Sequence, residues 1–220
     1  MLAVAAALVG SATAVTTATS PTAQAAASVP VFDHIVLVMF ENHAYSQING
    51  SSSAPYFNSL AAQGAKFTQA YGVTHPSEPN YLAIFSGSTQ GVTDDSCPHT
   101  YSKNNLGNQL ITAGKTFKGY SEGMPSDGYT GCSSGQYKRK HNGWVNFSNV
   151  PAASNLRYSA FPSSANYASL PTVSFVTPNA HTQVGSFSNQ INHYNVLSTI
   201  ESSYGLAHLN SAAEITNVWN

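Results

Sequence analysis

Charge is what this 220-residue chain most lacks: Lys and Arg number 8, Asp and Glu 9, together 8% of the residues. An ordinary globular domain carries about 25%. The shortage does not imply disorder, because 10 Phe, 12 Tyr and 2 Trp in a chain that is 42% hydrophobic give it ample surface to bury. A net charge of −1 and no long basic run argue against nucleic acid and anionic membrane surfaces as partners. No apolar run approaches the ~20 residues that span a bilayer, which points to a chain without stable membrane insertion. Cysteine is scarce as well, with only Cys97 and Cys132. Two thiols cannot build a zinc site unaided, and neither has a His at finger spacing.

The first thirty residues carry no charge at all. MLAVAAALVGSATAV is small and apolar, and Ala23-Gln24-Ala25 is an A-x-A cleavage pattern, so residues 1–25 read as a secretory signal that lacks its positive start. Residues 26–220 then form one domain, and the expected location is extracellular. Both cysteines lie in Ser/Gly/Pro-rich segments, DDSCPHT and TGCSSG, that read as surface loops. In an oxidising compartment such a pair closes a loop and stabilises it by about 3–4 kcal/mol on the chain-entropy model.

Beyond the signal, strand and helix patterns alternate. Residues 32–40, nearly continuous and β-branched, read as a buried parallel strand. Residues 54–63 and 106–113 have apolar residues at helical spacing and end at Gly64 and Gly114. Strand patterns cover 66–73, 116–120 and 173–176, and helical ones cover 80–85 and 194–204. Residues 121–170 read as long loops. The alternation implies an α/β sandwich around a mostly parallel sheet, whose chemistry belongs on loops at the carboxyl ends of strands.

Three segments have that address. Glu41 and Asn42 follow the first strand and are hard ligands suited to a divalent cation; from spacing alone, a surface turn is an equal reading. Ser77 lies between two prolines ahead of a helix, where an N-cap is its ordinary role and an anion site its alternative. Gly119-Tyr120-Ser121-Glu122-Gly123 is a literal G-x-S-x-G, with Asp127 and His141 in hydrolase order. Its context fails: Met124-Pro125-Ser126-Asp127-Gly128 is a loop where a helix is required, so a serine esterase is set aside. His141 sits in the only cationic cluster, Lys138-Arg139-Lys140, and His193 begins the last helix. Either could contact phosphate, or serve the structure.

Together HIVLVMFENHAYSQI, THPSEPNYLAIFSGST, GKTFKGYSEG with RKHNGWVNF, and INHYNVLSTIESSYGL resemble the phosphoesterase family of bacterial acid phosphatases and phospholipases C. The likeness covers nearly all of 31–220 and implies an alkaline-phosphatase-like three-layer sandwich. By resemblance, Glu41, Asn42 and Ser77 are ligands of a divalent metal ion. Ser77 is the nucleophile that becomes phosphorylated, and Asn80, His141 and His193 line the substrate site. The implied activity is hydrolysis of a small-molecule or lipid-head-group phosphate ester, foremost that of an acid-phosphatase-type monoesterase.

The resemblance breaks near 179–181. The family carries a long stretch there, including a strand that ends in an acidic pair completing the metal site. Here Phe175-Val176-Thr177-Pro178-Asn179 runs straight into Ala180-His181-Thr182. No Asp follows Asp127, and the only later acids are Glu201 and Glu214. The expectation is therefore an incomplete sandwich with too few metal donors, and the alternative function is a catalytically impaired remnant or binding protein.

Overall fold

The computed structural model describes residues 29–41, 43–179, 190–191 and 193–214. The expected signal at 1–25, Asn42 and the junction at 180–181 lie outside the described residues. The elements in chain order are β1 (Ile35–Val38), α1 (Tyr45–Ile48), α2 (Pro55–Ala61), β2 (Gln69–Ala70), α3 (Ser77–Ser86), α4 (Leu106–Thr112) and β3 (Phe117–Ser121). They continue with β4 (Ser133–Ser134), β5 (Tyr137–Lys138), β6 (Asn155–Arg157), β7 (Val173–Thr177), β8 (Gln190–Ile191) and α5 (His193–Ser203).

The main sheet has four strands in the order β1-β7-β3-β6, and every pairing in it is parallel. Two short sheets stand beside it, parallel β2-β8 and antiparallel β4-β5. The expected α/β architecture with a mostly parallel sheet is thus what the chain adopts. Pleating sends alternate residues to opposite faces. Ile35, Leu37, Phe117, Val173 and Phe175 join Tyr81, Leu82 and Phe85 of α3 and Leu197 and Ile200 of α5 in one core. On the other face Tyr120 meets Phe161 edge-on, with ring centroids 5.0 Å apart.

The first strand departs from expectation. It spans four residues and alternates in burial, with Val36 and Val38 each 40% exposed. Among the described residues its only partner is β7, which makes it an edge strand of that sheet, with one face partly exposed. The apolar run therefore overstated burial: a continuous hydrophobic strand needs cover on both faces. β2 is likewise two residues rather than eight. Helix α3 starts at Ser77, three residues before the pattern indicates, because Pro79 sits in the first turn, where a missing N–H costs nothing. Within the expected loop region, Asn155–Arg157 adds the fourth strand.

Two glycines set how the site-bearing turn packs. Residues 139–146 run as two short 3-10 turns. A Cβ on Gly143 would lie 2.5 Å from the Tyr81 carbonyl oxygen, so only glycine lets this turn lie directly on α3. A Cβ on Gly119 would lie 2.1 Å from the Trp144 ring, which seats that indole flat on the sheet. The Trp144 Nε1–H then donates to Asn155 Oδ1 at 3.0 Å. The expected cystine is present between Cys97 and Cys132. No helix among the described residues is long and apolar enough to cross a membrane.

Candidate active site

Glu41 leaves the carboxyl end of β1, just after Met39, whose N–H still pairs with the Val176 carbonyl. Ser77 opens α3. His141 closes the first 3-10 turn. These three residues, far apart in sequence, meet at one carboxylate oxygen. The Ser77 hydroxyl donates to Glu41 Oε2 at 2.9 Å, and His141 Nε2 lies 3.0 Å from the same atom. His141 is buried, while Ser77 keeps partial access to solvent. Burial works to raise the Glu41 carboxyl, but hydrogen bonding and charge from His141, with bonds from Ser77 and Tyr81, outweigh it and hold the group below its ordinary value.

Asn142 fixes the turn that presents His141. Its Oδ1 accepts from the Ser121 hydroxyl at 2.9 Å and also from the Thr177 hydroxyl. Ser121 of the G-x-S-x-G segment is thus a buried structural serine at the end of β3, in line with setting the esterase aside. The cationic cluster is not a solvated patch. Arg139 is buried and donates to Asn146 Oδ1 and to the carbonyls of Thr130, His99 and Val145. Lys140 pairs with Asp95 at 2.6 Å, and Asp95 also accepts from the Glu78 N–H at 2.9 Å. Asp95 therefore ties the first turn of α3 to the turn that carries His141.

Beneath Ser77, the buried Glu78 accepts from Asn146 at 3.1 Å, and burial pushes its carboxyl up to about 7. Asn80 faces the loop that leads into α3. Its Oδ1 accepts from the N–H groups of Val73 and Thr74, and its amide donates to the carbonyls of Thr74 and Pro76. All four of its hydrogen-bonding positions are used on this loop, so what Asn80 does here is hold the backbone ahead of Ser77. His193 begins α5, and burial pushes it down to about 4 against the opposing pull of Glu41, which leaves the ring neutral. Its Nδ1 has no partner among the described residues.

Tyr81, one turn along α3 from Ser77, was not among the residues the sequence pointed to. The signal was there: a hydroxyl four residues after a candidate nucleophile shares its helix face.

Of the expected metal donors, Glu41 and Ser77 come together and Asn42 lies outside the described residues. Among the described residues, no group of three His, Cys, Asp or Glu is placed to hold a metal ion. A divalent ion takes about four to eight donors. Among the described residues, the one carboxylate and one hydroxyl that come together fall short of that.

What this cluster can do is direct the Ser77 proton onto a carboxylate at the positive end of a helix, which suits attack on an anionic phosphoryl group. The sequence profile described as the Phosphoesterase family matches residues 51–184, which include Ser77 and His141. The chain is 40% identical over 255 positions to the Phosphatidylinositol-3-phosphatase of Mycobacterium tuberculosis, covering 89% of this chain and 85% of that protein. That alignment is longer than the chain itself, so this relative carries internal residues with no counterpart here. Identity is 32% over 163 positions to a Probable acid phosphatase of Kluyveromyces lactis, covering 67% of this chain and 38% of that protein. It is 32% over 161 positions to an Acid phosphatase of Aspergillus fumigatus, covering 67% and 35%. The chain thus spans little more than a third of these fungal relatives. No solved structure matches it. On the family profile and the mycobacterial relative together, this chain belongs to the phosphoesterase family.

Proposed function

We propose that the chain hydrolyses phosphate monoesters through a phosphoserine formed on Ser77. The observation that carries this reading is the convergence of the Ser77 hydroxyl and His141 Nε2 on Glu41 Oε2, at 2.9 and 3.0 Å. In the first step Ser77 Oγ bonds to phosphorus in line and passes its proton to Glu41, while the ester oxygen leaves and takes a proton from water. In the second, water attacks phosphorus and gives up a proton that neutralises the hydroxide left by the first step, while Ser77 Oγ departs and recovers its proton from Glu41. His141 holds the carboxylate in place, and His193 offers its unpartnered nitrogen to the phosphoryl group. Beyond making and breaking the Ser77–phosphorus bond, catalysis then rests on positioning and charge.

The name of the mycobacterial relative makes phosphatidylinositol 3-phosphate the first natural ester to try beside an aryl phosphate. Export of the chain belongs to the same proposal, and the cystine supports it. A second reading, a protein that binds phosphate esters without turning them over, is favoured by the shortage of metal donors among the described residues. Turnover of an aryl phosphate, with and without added divalent cation, separates the two. Activity that vanishes in Ser77→Ala upholds the hydrolase; a folded chain that binds phosphate but never turns over in either condition upholds the binder.

A further inference from the structure

The cystine between Cys97 and Cys132 joins the two loops that brace the turn at 139–146. On the Cys97 side, Asp95 pairs with Lys140 Nζ at 2.6 Å, and the His99 carbonyl accepts from Arg139 Nη2 at 2.8 Å. On the Cys132 side, the Thr130 carbonyl accepts from Arg139 Nη1 at 2.6 Å, and the Cys132 carbonyl accepts from the Arg139 N–H at 3.0 Å. Two loops from distant parts of the chain thus meet on one buried guanidinium, and the cystine closes them around it. Residues 93–100 and 130–136 are all exposed or half-buried, so neither loop has a core of its own to hold it. Cys132 is exposed and Cys97 half-buried, which leaves the bond within reach of a dissolved thiol.

We infer that this cystine is a redox-sensitive latch on the turn that presents His141: reduction by a dithiol slackens the turn and stops turnover while the sheet and its helices stay folded. The exchange begins at the exposed Cys132, where a reductant thiolate bonds to sulfur and Cys97 leaves as the thiolate. The reductant's second thiol then displaces Cys132 from the mixed disulfide, and the reductant departs as a cyclic disulfide. Two electrons pass to the protein, and the two protons of the dithiol end on Cys97 and Cys132. Without the bond, the loops are held by hydrogen bonds and by the part-exposed Lys140–Asp95 pair, and such weakly buried segments are the first to open. None of these contacts involves the main sheet, so the effect is local. The device keeps the enzyme off in a reducing compartment and on in an oxidising one. The consequence for rate rests on the proposed hydrolase reading; the loosening of the turn does not.

The test compares the full chain, oxidised and after treatment with dithiothreitol, with a variant carrying both Cys97→Ser and Cys132→Ser. All are held at one temperature well below the wild-type melting transition, with circular dichroism read in each. Reduction should lower turnover of an aryl phosphate about tenfold or more, since displacing a positioned group by about 1 Å can cost about 100-fold. Oxidised glutathione should restore it, and the double-serine variant should be slow from the start and indifferent to reductant. Independently of turnover, hydrogen exchange read by mass spectrometry should quicken about tenfold in peptides from 139–147 and not in those from α4 or β7. A chain inactive even when oxidised refutes the hydrolase reading, and the exchange pattern still decides the latch. An active chain whose turnover survives reduction overturns the inference, as does exchange that stays flat or rises uniformly. Loss of the helical signal on reduction also overturns it, because the cystine would then staple the whole fold.

Discussion

Replacing Glu201 by Gln should make the stability of this protein less dependent on pH. Glu201 lies in α5 with no exposed surface, and its Oε1 accepts from the Leu209 N–H at 3.1 Å. Its other oxygen has no partner among the described residues. Burial pushes the carboxyl from 4.5 up to about 8, against the smaller pull of the Leu209 N–H. A raised value means that the folded chain holds this proton more tightly than the unfolded chain does. Stability is therefore greatest below about pH 4.5 and falls as pH rises towards 8.

Each unit of pKa difference is worth about 1.4 kcal/mol, so going from pH 5 to pH 7 should cost the wild type about 2–3 kcal/mol through this one group. For a chain of this size that corresponds to on the order of 5–10 °C in Tm. Glu78, raised to about 7, acts with the same sign. His193, lowered to about 4, acts oppositely between about pH 4 and 6.5, because there the unfolded chain binds the extra proton. The quantity to measure is therefore the Tm of Glu201→Gln minus that of the wild type, by circular dichroism across this range, in which the other groups cancel. It should be small near pH 5 and grow by on the order of 5–10 °C by pH 7. A difference that does not change with pH refutes the buried, proton-holding carboxyl.

Two other perturbations test the scaffold beneath the site. Gly119→Ala places a methyl 2.1 Å from the buried Trp144 ring, and such overpacking should lower stability by about 1–3 kcal/mol in a denaturant titration. Because Trp144 sits in the turn after His141, the same variant should also lose activity at temperatures where it is still folded. Converting Cys97 and Cys132 together to Ser opens a loop whose ends are 35 residues apart. On the chain-entropy model this should cost about 4 kcal/mol, and reducing the wild type should lower its Tm to the same extent.

Much of this fold was legible in the sequence because its signals are local. Helices α2 and α4 show their periodicity and the glycines that follow them, and β3 and β7 are short segments with aromatic or β-branched residues, bounded by Gly114 and Gly123 and by Pro171 and Pro178. The partly exposed face of β1 was not legible, since Val36 and Val38 look like any core residues until the neighbouring strands are known. β6 was missed because Asn155-Leu156-Arg157 holds a single apolar residue and is a strand only through pairing with β3. Glu41, Ser77 and His141 were singled out one by one, but their meeting at one oxygen is a property of the sheet topology. The roles of Asn80 and Arg139 lay in backbone carbonyls and amides, which composition does not reveal. Tyr81 passed for an ordinary core aromatic of α3.

The most direct test of the account is to look for the covalent intermediate. The wild type is mixed with an aryl phosphate, quenched in acid within the first turnovers, digested, and examined by mass spectrometry. The account expects a phosphoryl group on the peptide that carries Ser77, appearing with the first burst of released phenol and absent from Ser77→Ala. Steady turnover with no phosphorylated Ser77 peptide, or turnover that survives in Ser77→Ala, would contradict it.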